Sequence, residues 1–412
     1  MNIAILSASR EVQLIKRFRT LLHHNGGGDL HALDIAEHRA ALFFADQTHI
    51  TPYSTSSEFI PFLLDFCETH DIDLIFSCRD EDLLVLAQIS AELAQIGTKA
   101  MVADLETIKI CHNKKLFHDF CIANNFEVPV VYNRNTTVFP AFIKPVSGKG
   151  SINAFRVTDK RALNGLLEAF GGEFIIQECI EDPEYTIDLF ADFDGRVISV
   201  LPRERILTVG GESYIGKTYK NSLLINEAIR LATALGLVGH NTIQCFFDGD
   251  IIKFIEVNPR FGGGANLGFA AGHNSPEYLI RLIRGKPVES AVGDFEDGLI
   301  MLRYAQDLFV PAALPTNKTF CVDIDGTLCT EGEEYHLAKP IEKAIKKVNL
   351  LHAAGNTIIL FTARGVWSNN DWGALTSQQL QRWGVKYHSL QFKKPFADYY
   401  IDNKACDVLD WV

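Results

Sequence analysis

Short apolar runs alternate with amphipathic stretches from the first residues of the chain. Residues 2–6 form an apolar run that predicts a buried strand, and 12–23 follow with the spacing of an amphipathic helix. Residues 30–33, 73–76 and 99–102 predict further strands, with helices over 59–70 and 81–96. Strands alternating with helices imply an open parallel sheet. From Glu106 the pattern changes. A helix through Lys114 to about Ala123 leads into strands at 141–145, 154–157 and 174–178, with a helix before the last. Residues 186–193 and 197–201 also read as strands, followed by a looser Gly-containing stretch and a helix at 226–235. A hairpin of 241–247 with 251–258 turns at Asp248-Gly249. This second region is α+β. A Pro-punctuated link at 310–316 precedes a fresh strand at Lys318 and a further stretch of alternating β and α to residue 412. The expected domains are therefore 1–106, 107–310 and 317–412.

Composition narrows the classes. A chain of 412 residues that is 47% hydrophobic can bury several separate cores. A net charge of -12 argues against a general attraction to nucleic acid or anionic membrane, while leaving room for a local basic pocket. The 9 cysteines are scattered and form no C-x-x-C pair, so they read as small buried hydrophobes in a reducing compartment. The opening MNIAILSASR lacks the basic and long apolar regions of a signal peptide. No run approaches the roughly 20 apolar residues of a membrane span. The expectation is a cytoplasmic protein. The turn Ser7-Ala8-Ser9-Arg10 lacks G-x-G-x-x-G, so a dinucleotide site has no support there. Asp34, just past a strand, reads as a turn or capping aspartate rather than a ribose partner.

The chemistry concentrates in the middle region. Glu256 and Asn258 lie two apart on a strand and so face the same way, and a hairpin sets Gln244 beside them. One carboxylate and two amide oxygens make a hard donor set suited to Mg²⁺ (or Mn²⁺). Arg260 then offers a fixed positive fork for phosphates. Lys144 ends an apolar strand. It is followed by the small-residue loop Ser147-Gly148-Lys149-Gly150-Ser151, whose amides can close over phosphates. Glu178, Cys179 and Ile180 offer a strand edge for an adenine, with Glu184 as a ribose partner. Taken singly, each feature also fits an ordinary polar hairpin or Gly/Ser loop. Arg203 and Arg205 read equally as a carboxylate anchor or as a solvated turn.

Taken as a set, residues from about 107 to 305 resemble an ATP-grasp domain of the carbamoyl-phosphate-synthetase-like, carboxylate–amine ligase kind, and the first hundred residues resemble its usual pre-ATP-grasp domain. The resemblance implies that Lys114 and Lys144 contact ATP phosphates. It implies that Glu178, with backbone near Cys179 and Ile180, holds the adenosine, and that Gln244, Glu256 and Asn258 bind magnesium. Asn113 stands where relatives often carry an acid. The implied reaction makes an acyl phosphate from ATP and a small-molecule carboxylate, which an amine then displaces. Such a step needs positive charge more than acid–base work.

The last region carries a second pattern. An apolar strand ends in Asp323-Ile324-Asp325-Gly326-Thr327, a second in Thr362-Ala363-Arg364, and a third in Asp402, with Lys393-Lys394-Pro395 just before it. Two aspartates at the end of a strand are costly unless paired with a cation. In a parallel sheet these ends converge on one crevice. The set resembles the haloacid-dehalogenase (HAD) phosphohydrolase superfamily, and within it the small capsule-biosynthesis phosphatases. That implies Asp323 as nucleophile, Asp325 as acid/base, Thr362 and Lys394 on the phosphoryl group, and Mg²⁺ held by Asp323, Asp325 and Asp402. Asn403 departs from a pattern that often has two acids. The gaps on either side of Thr362 leave no room for a cap domain.

The expected fold is α/β and α+β multidomain: a Rossmann-like first domain, an ATP-grasp fold and a HAD-like Rossmannoid tail. The expected function is a ligase joined to a phosphomonoester hydrolase, in polysaccharide or modified-sugar biosynthesis. The alternatives are a ligase with a non-catalytic tail, or an ATP-binding protein without turnover. Oligomeric state is left open, a homodimer included.

Overall fold

The computed structural model describes residues 1–148, 150, 152–310, 314–331, 334–364, 371–392 and 399–401. Contacts divide the chain into two compact units, Met1–Gln306 and Asp307–Val412.

The first unit opens with a five-stranded parallel sheet in the order Gln47–Ile50, Leu30–Asp34, Asn2–Leu6, Ile72–Ser77, Lys99–Ala100. The inner strands are apolar because helices cover both faces. Val12–His24 buries Leu14, Ile15, Phe18 and Leu22, and Phe59–Thr69 buries Phe59, Leu63, Phe66 and Cys67. Each such side chain contributes about 1.5–3 kcal/mol. The edge strand Gln47–Ile50 escapes the sequence pattern because it is polar and mostly exposed. The helix expected over 81–96 is two, Asp80–Gln88 and Ser90–Gln95, parted at Ile89. The strand expected at 99–102 shortens to Lys99–Ala100.

The helix expected to run through Lys114 is likewise two, Leu105–His112 and Lys114–Ala123. Asn113 between them is extended, and its side chain accepts from the amides of Lys115 and Leu116, both at 3.0 Å. An asparagine N-cap starts a helix more readily than it sits inside one. Beyond it lies a four-stranded antiparallel sheet ordered Val131–Tyr132, Phe174–Glu178, Ala141–Pro145, Phe155–Val157.

A six-stranded antiparallel sheet completes the unit, ordered Ile252–Asn258, Gly239–Phe247, Glu184–Ala191, Val197–Val209, Glu212–Thr218, Ile300–Leu302. The stretch read as loose is ordered β-structure: Val197–Val209 runs 13 residues and turns back through Gly210-Gly211. Its far end is exposed on both faces, so no alternation of polarity marks it. Helix Ser222–Leu235 buries Leu224, Ile225, Ala228, Leu231, Ala232 and Leu235 in a core shared with Ile187, Leu189, Val200 and Ile243.

The second unit has a four-stranded parallel sheet ordered Ser389–Gln391, Thr357–Phe361, Thr319–Asp323, Tyr399–Ile401. Phe320, Val322, Ile358, Leu360, Val348 and Leu380 form its core. Between Thr327 and Thr362 the described residues hold a short 3-10 turn, Tyr335–Leu337, the helix Glu342–Ala353 and the strand Thr357–Phe361, and no inserted domain. Among the described residues no helix is long and apolar enough to cross a membrane.

Candidate active sites

The hairpin places its polar residues as the two-residue period requires. Gln244 pairs across from Glu256, and Thr242 from Asn258. Asn258 Nδ2 donates to Glu256 Oε1 at 3.2 Å, so the two side chains share one face. Lys114 Nζ sits 3.6 Å from Glu256 Oε2 and donates to the Gly148 carbonyl at 2.9 Å. The first residue of one helix thus joins the hairpin to the glycine loop. Gly150, at φ +63, holds a left-handed conformation that side-chain-bearing residues avoid.

Lys144, on Ala141–Pro145, is 7% exposed. It forms no ion pair within 4.0 Å among the described residues. Burial pushes its pKa down to about 8, against the attraction of Glu256 and with the help of Lys114. Burial would raise the Glu256 carboxyl, but Lys114, Lys144 and the Asn258 hydrogen bond outweigh it and hold the pKa below its ordinary value. The site therefore sets one carboxylate beside two lysine side chains, an arrangement short of one anionic partner.

A cavity of about 220 Å³ extends from Lys144. Phe142, Ile180, Phe246 and Ile255 wall it, and Gln177, Glu178 and Glu184 line its polar side. Apolar walls with one polar side suit a flat, polar-edged group. Two expected ligand contacts are occupied by the protein itself. Glu178 Oε1 accepts from Val130 N at 2.9 Å and from Lys253 Nζ at 2.7 Å. Glu184 Oε1 accepts from Arg205 Nη1 at 2.7 Å. Cys179 is half-buried and Ile180 is at the wall. Ser151, expected in the phosphate loop, lies outside the described residues.

A larger chamber of about 700 Å³ adjoins it. Ser7, Ser9, Glu11 and Arg79 line it from the first sheet, and Arg203, Arg260 and Gly264 from the other side. Asp34 is buried and accepts from Ser9 N and Oγ at 2.8 and 2.9 Å, bracing the first turn as a capping aspartate does. The Arg260 fork, expected to face phosphate, is instead bound bidentate by Asp80 at 2.8 and 2.7 Å. The reading of Arg203 and Arg205 as a solvated turn is corrected: both lie on Val197–Val209 with nearly buried side chains. Arg203 binds Asp188 through two bonds of 2.9 and 3.2 Å. Burial would raise the Asp188 carboxyl, yet Arg203 and His240 hold it below the usual range. A Cβ on Gly264 would come within 2.5 Å of Arg203 Nη1, so a larger residue there would have to displace the guanidinium that Asp188 holds.

In the second unit Asp323 closes its strand, opposite Phe361. Gly326, at φ 81, makes the tight turn. Asp325 accepts from Thr362 Oγ1 at 3.0 Å, which joins the first two expected strand ends. Arg364 is the participant the sequence reading left without a role. Its Nε lies 2.9 and 3.0 Å from the two Asp325 oxygens and its Nη2 2.6 Å from Oδ1, while Nη1 is anchored by Gln379 at 2.7 Å. The signal was the arginine two positions after Thr362. Lys394 and Asp402 lie outside the described residues, so the structure does not place them.

Residues 172–306 match a family model described as ATP-grasp in the biosynthetic pathway with Ter operon, and residues 3–101 match the PylC-like N-terminal domain. The chain is 25% identical over 206 residues to the carbamoyl phosphate synthase large chain of Thermoplasma volcanium, covering 43% of this chain and 20% of that one. It thus spans about a fifth of the length of that curated relative. Its fold is similar to a β-γ-ATP complex of biotin carboxylase from Campylobacter jejuni, at a TM-score of 0.59 and 18% identity over 73% of this chain and 74% of that one. It is also similar to an L-amino acid ligase from Bacillus licheniformis, at a TM-score of 0.54 and 18% identity over 72% and 77%. The first unit has the ATP-grasp fold behind a PylC-like N-terminal domain.

Proposed function

We propose that this chain is an ATP-dependent carboxylate–amine ligase, and that its tail is a HAD-type phosphomonoesterase. The proposed domain limits are 1–106, 107–310 and 317–412. One observation carries the ligase reading. Lys144 is a buried ammonium without an ion pair, set beside the oxygen donors of Gln244, Glu256 and Asn258. A buried unpaired cation is costly, and a nucleotide phosphate is the partner that removes the cost.

Lys114 and Lys144 would take the phosphates, and the slot at Phe142, Ile180 and Phe246 would take the base. The donor set fits a hard cation: Glu256, Asn258 and Gln244 would hold Mg²⁺, which neutralises phosphate charge when bound. A carboxylate oxygen attacks the γ-phosphorus, ADP leaves, and the acyl phosphate passes to an amine. The chamber at Glu11 and Arg203 has the volume for both small substrates.

For the tail, the clasp of Asp325 by Arg364 and Thr362 supports a site organised around Asp323. Asp323 would attack a phosphomonoester, with Lys394 and Asp402 completing the site. The likeness to capsule-biosynthesis phosphatases points to a polysaccharide or modified-sugar pathway.

The test uses the full chain with Mg²⁺ and ATP, a panel of carboxylic acids with hydroxylamine as nucleophile, and p-nitrophenyl phosphate in a separate assay. The expected result is ADP with hydroxamate for at least one acid, and p-nitrophenol release. Asp323→Asn should abolish p-nitrophenol release and leave ADP formation unchanged. Absence of ADP across the panel would overturn the ligase reading. Unchanged p-nitrophenol release in Asp323→Asn would overturn the phosphatase reading.

A further inference from the structure

The charges around the large chamber pair off almost completely. Arg10 binds Glu212, Arg39 lies 3.5 Å from Asp34, and Arg79 binds Glu81 at 2.8 Å. Arg203 is held by Asp188, Arg205 by Glu184 and Arg260 by Asp80. Glu256 has Lys114 and Asn258. Among the described residues that line the chamber, one charged side chain stands outside this pairing. Among the described residues Glu11 accepts no side-chain hydrogen bond and has no cation within 4.0 Å, although it lines the same chamber as Gln244, Glu256 and Asn258.

Its position is set by the first βα turn. The Glu11 amide donates to the Ala8 carbonyl at 2.8 Å, and its own carbonyl accepts from Ile15 at 3.0 Å as the helix Val12–His24 begins. The side chain is only partly exposed. Burial and then the neighbouring Glu212 push its carboxyl pKa up, against Arg303, Arg260 and Arg10. A carboxylate left without a partner in a partly desolvated chamber is the complement of a cation. The nucleotide slot shows the reverse, an unpaired ammonium at Lys144. One pocket is short of an anion, the other of a cation.

We propose that Glu11 receives the acceptor substrate's ammonium group and takes its proton before attack. The proposal rests on the ligase reading of the site. The acceptor enters as R–NH₃⁺ and passes one proton to a Glu11 oxygen, leaving R–NH₂. The nitrogen lone pair forms the C–N bond at the acyl carbon. The bond from that carbon to the phosphate oxygen breaks, and its electron pair leaves with inorganic phosphate. The second nitrogen proton goes to the departing phosphate, and Glu11 returns its own to water. The acceptor class is thus a primary amine that is charged at neutral pH, not ammonia delivered as a neutral gas and not an alcohol.

The test compares two nucleophiles on the full chain with Mg²⁺, ATP and the activated acid. Hydroxylamine is neutral at pH 7 and does not need Glu11; glycine, lysine and ethanolamine are the protonated probes. In Glu11→Gln, hydroxamate formation should fall at least tenfold less than amide formation. Amide formation should fall about a hundredfold, the scale of a lost positioned base. Glu11→Asp should recover part of it. If Glu11→Gln makes amide at the wild-type rate, the proposal is overturned. It is also overturned if hydroxamate and amide fall together while Glu11→Asp restores both equally, because that pattern belongs to a structural residue. A wild-type protein that makes hydroxamate but no amide with any protonated probe overturns the acceptor class. A wild-type protein that makes no hydroxamate fails the ligase reading itself, a result distinct from these.

Discussion

Lys144 carries a cost in stability that a bound anion would offset. Its pKa is pushed down to about 8 by burial, with no ion pair in return. Holding it charged at neutral pH costs the ligand-free fold on the order of 1–3 kcal/mol. Lys144→Met keeps the stem and removes the charge. The variant should melt a few degrees higher than wild type without nucleotide and should lose the melting shift that MgATP produces. Thermal denaturation with and without MgATP checks both, and a variant still stabilised by MgATP would remove Lys144 from the phosphate site. Lys144 was legible in the sequence as a lysine ending an apolar strand. The bidentate grip of Asp80 on Arg260 was not, because the two are 180 residues apart.

At the level of elements, the site depends on where helices start. Lys114 reaches Gly148 and Glu256 because Asn113 ends one helix and caps the next. Removing an asparagine cap costs about 1 kcal/mol. Asn113→Ala should lower stability by about that much in urea denaturation and raise the KM for ATP several-fold, since helix fraying displaces Lys114. An unchanged KM would mean that Lys114 acts without help from the cap. The long strand Val197–Val209 does the corresponding work for the chamber. It carries Arg203 and Arg205 inward on a run whose tip is exposed. A strand exposed at one end and buried at the other shows no steady alternation of polarity, which is why its second half read as a loop.

Across the whole first unit, buried histidines couple stability to acid. His240 and His273 are fully buried, and burial lowers their pKa values to about 3 and about 4. In the unfolded chain both protonate near their ordinary 6.5. Between pH 6.5 and about 4 the unfolded state therefore binds more protons, so stability falls as pH drops through that window. At pH 5 each histidine should cost on the order of 2 kcal/mol relative to pH 7. Urea midpoints at pH 7 and pH 5 should show this loss, and replacing both histidines by glutamine should reduce it, leaving the share of His31, whose pKa burial also lowers to about 4. A wild-type midpoint independent of pH would overturn the account.

Local periodicity was enough to establish most elements. The apolar strands of the parallel sheets, the hairpin of Gln244 and Glu256, and the turn at Gly326 all follow from spacing, because neighbouring residues on one strand or turn need no partner to be recognised. Resemblance to the ATP-grasp family was legible because the motifs that carry it are local and can be read as a set. Tertiary structure alone decided which charges are already spent. Asp80 takes Arg260, Lys253 takes Glu178 and Arg364 clasps Asp325 across long stretches of chain, and Asp188 takes Arg203 from the neighbouring strand. A sequence counts charged groups but does not pair them, since pairing depends on which strands and loops meet. Only after that pairing do Lys144 and Glu11 stand out as charges without a partner in their pockets.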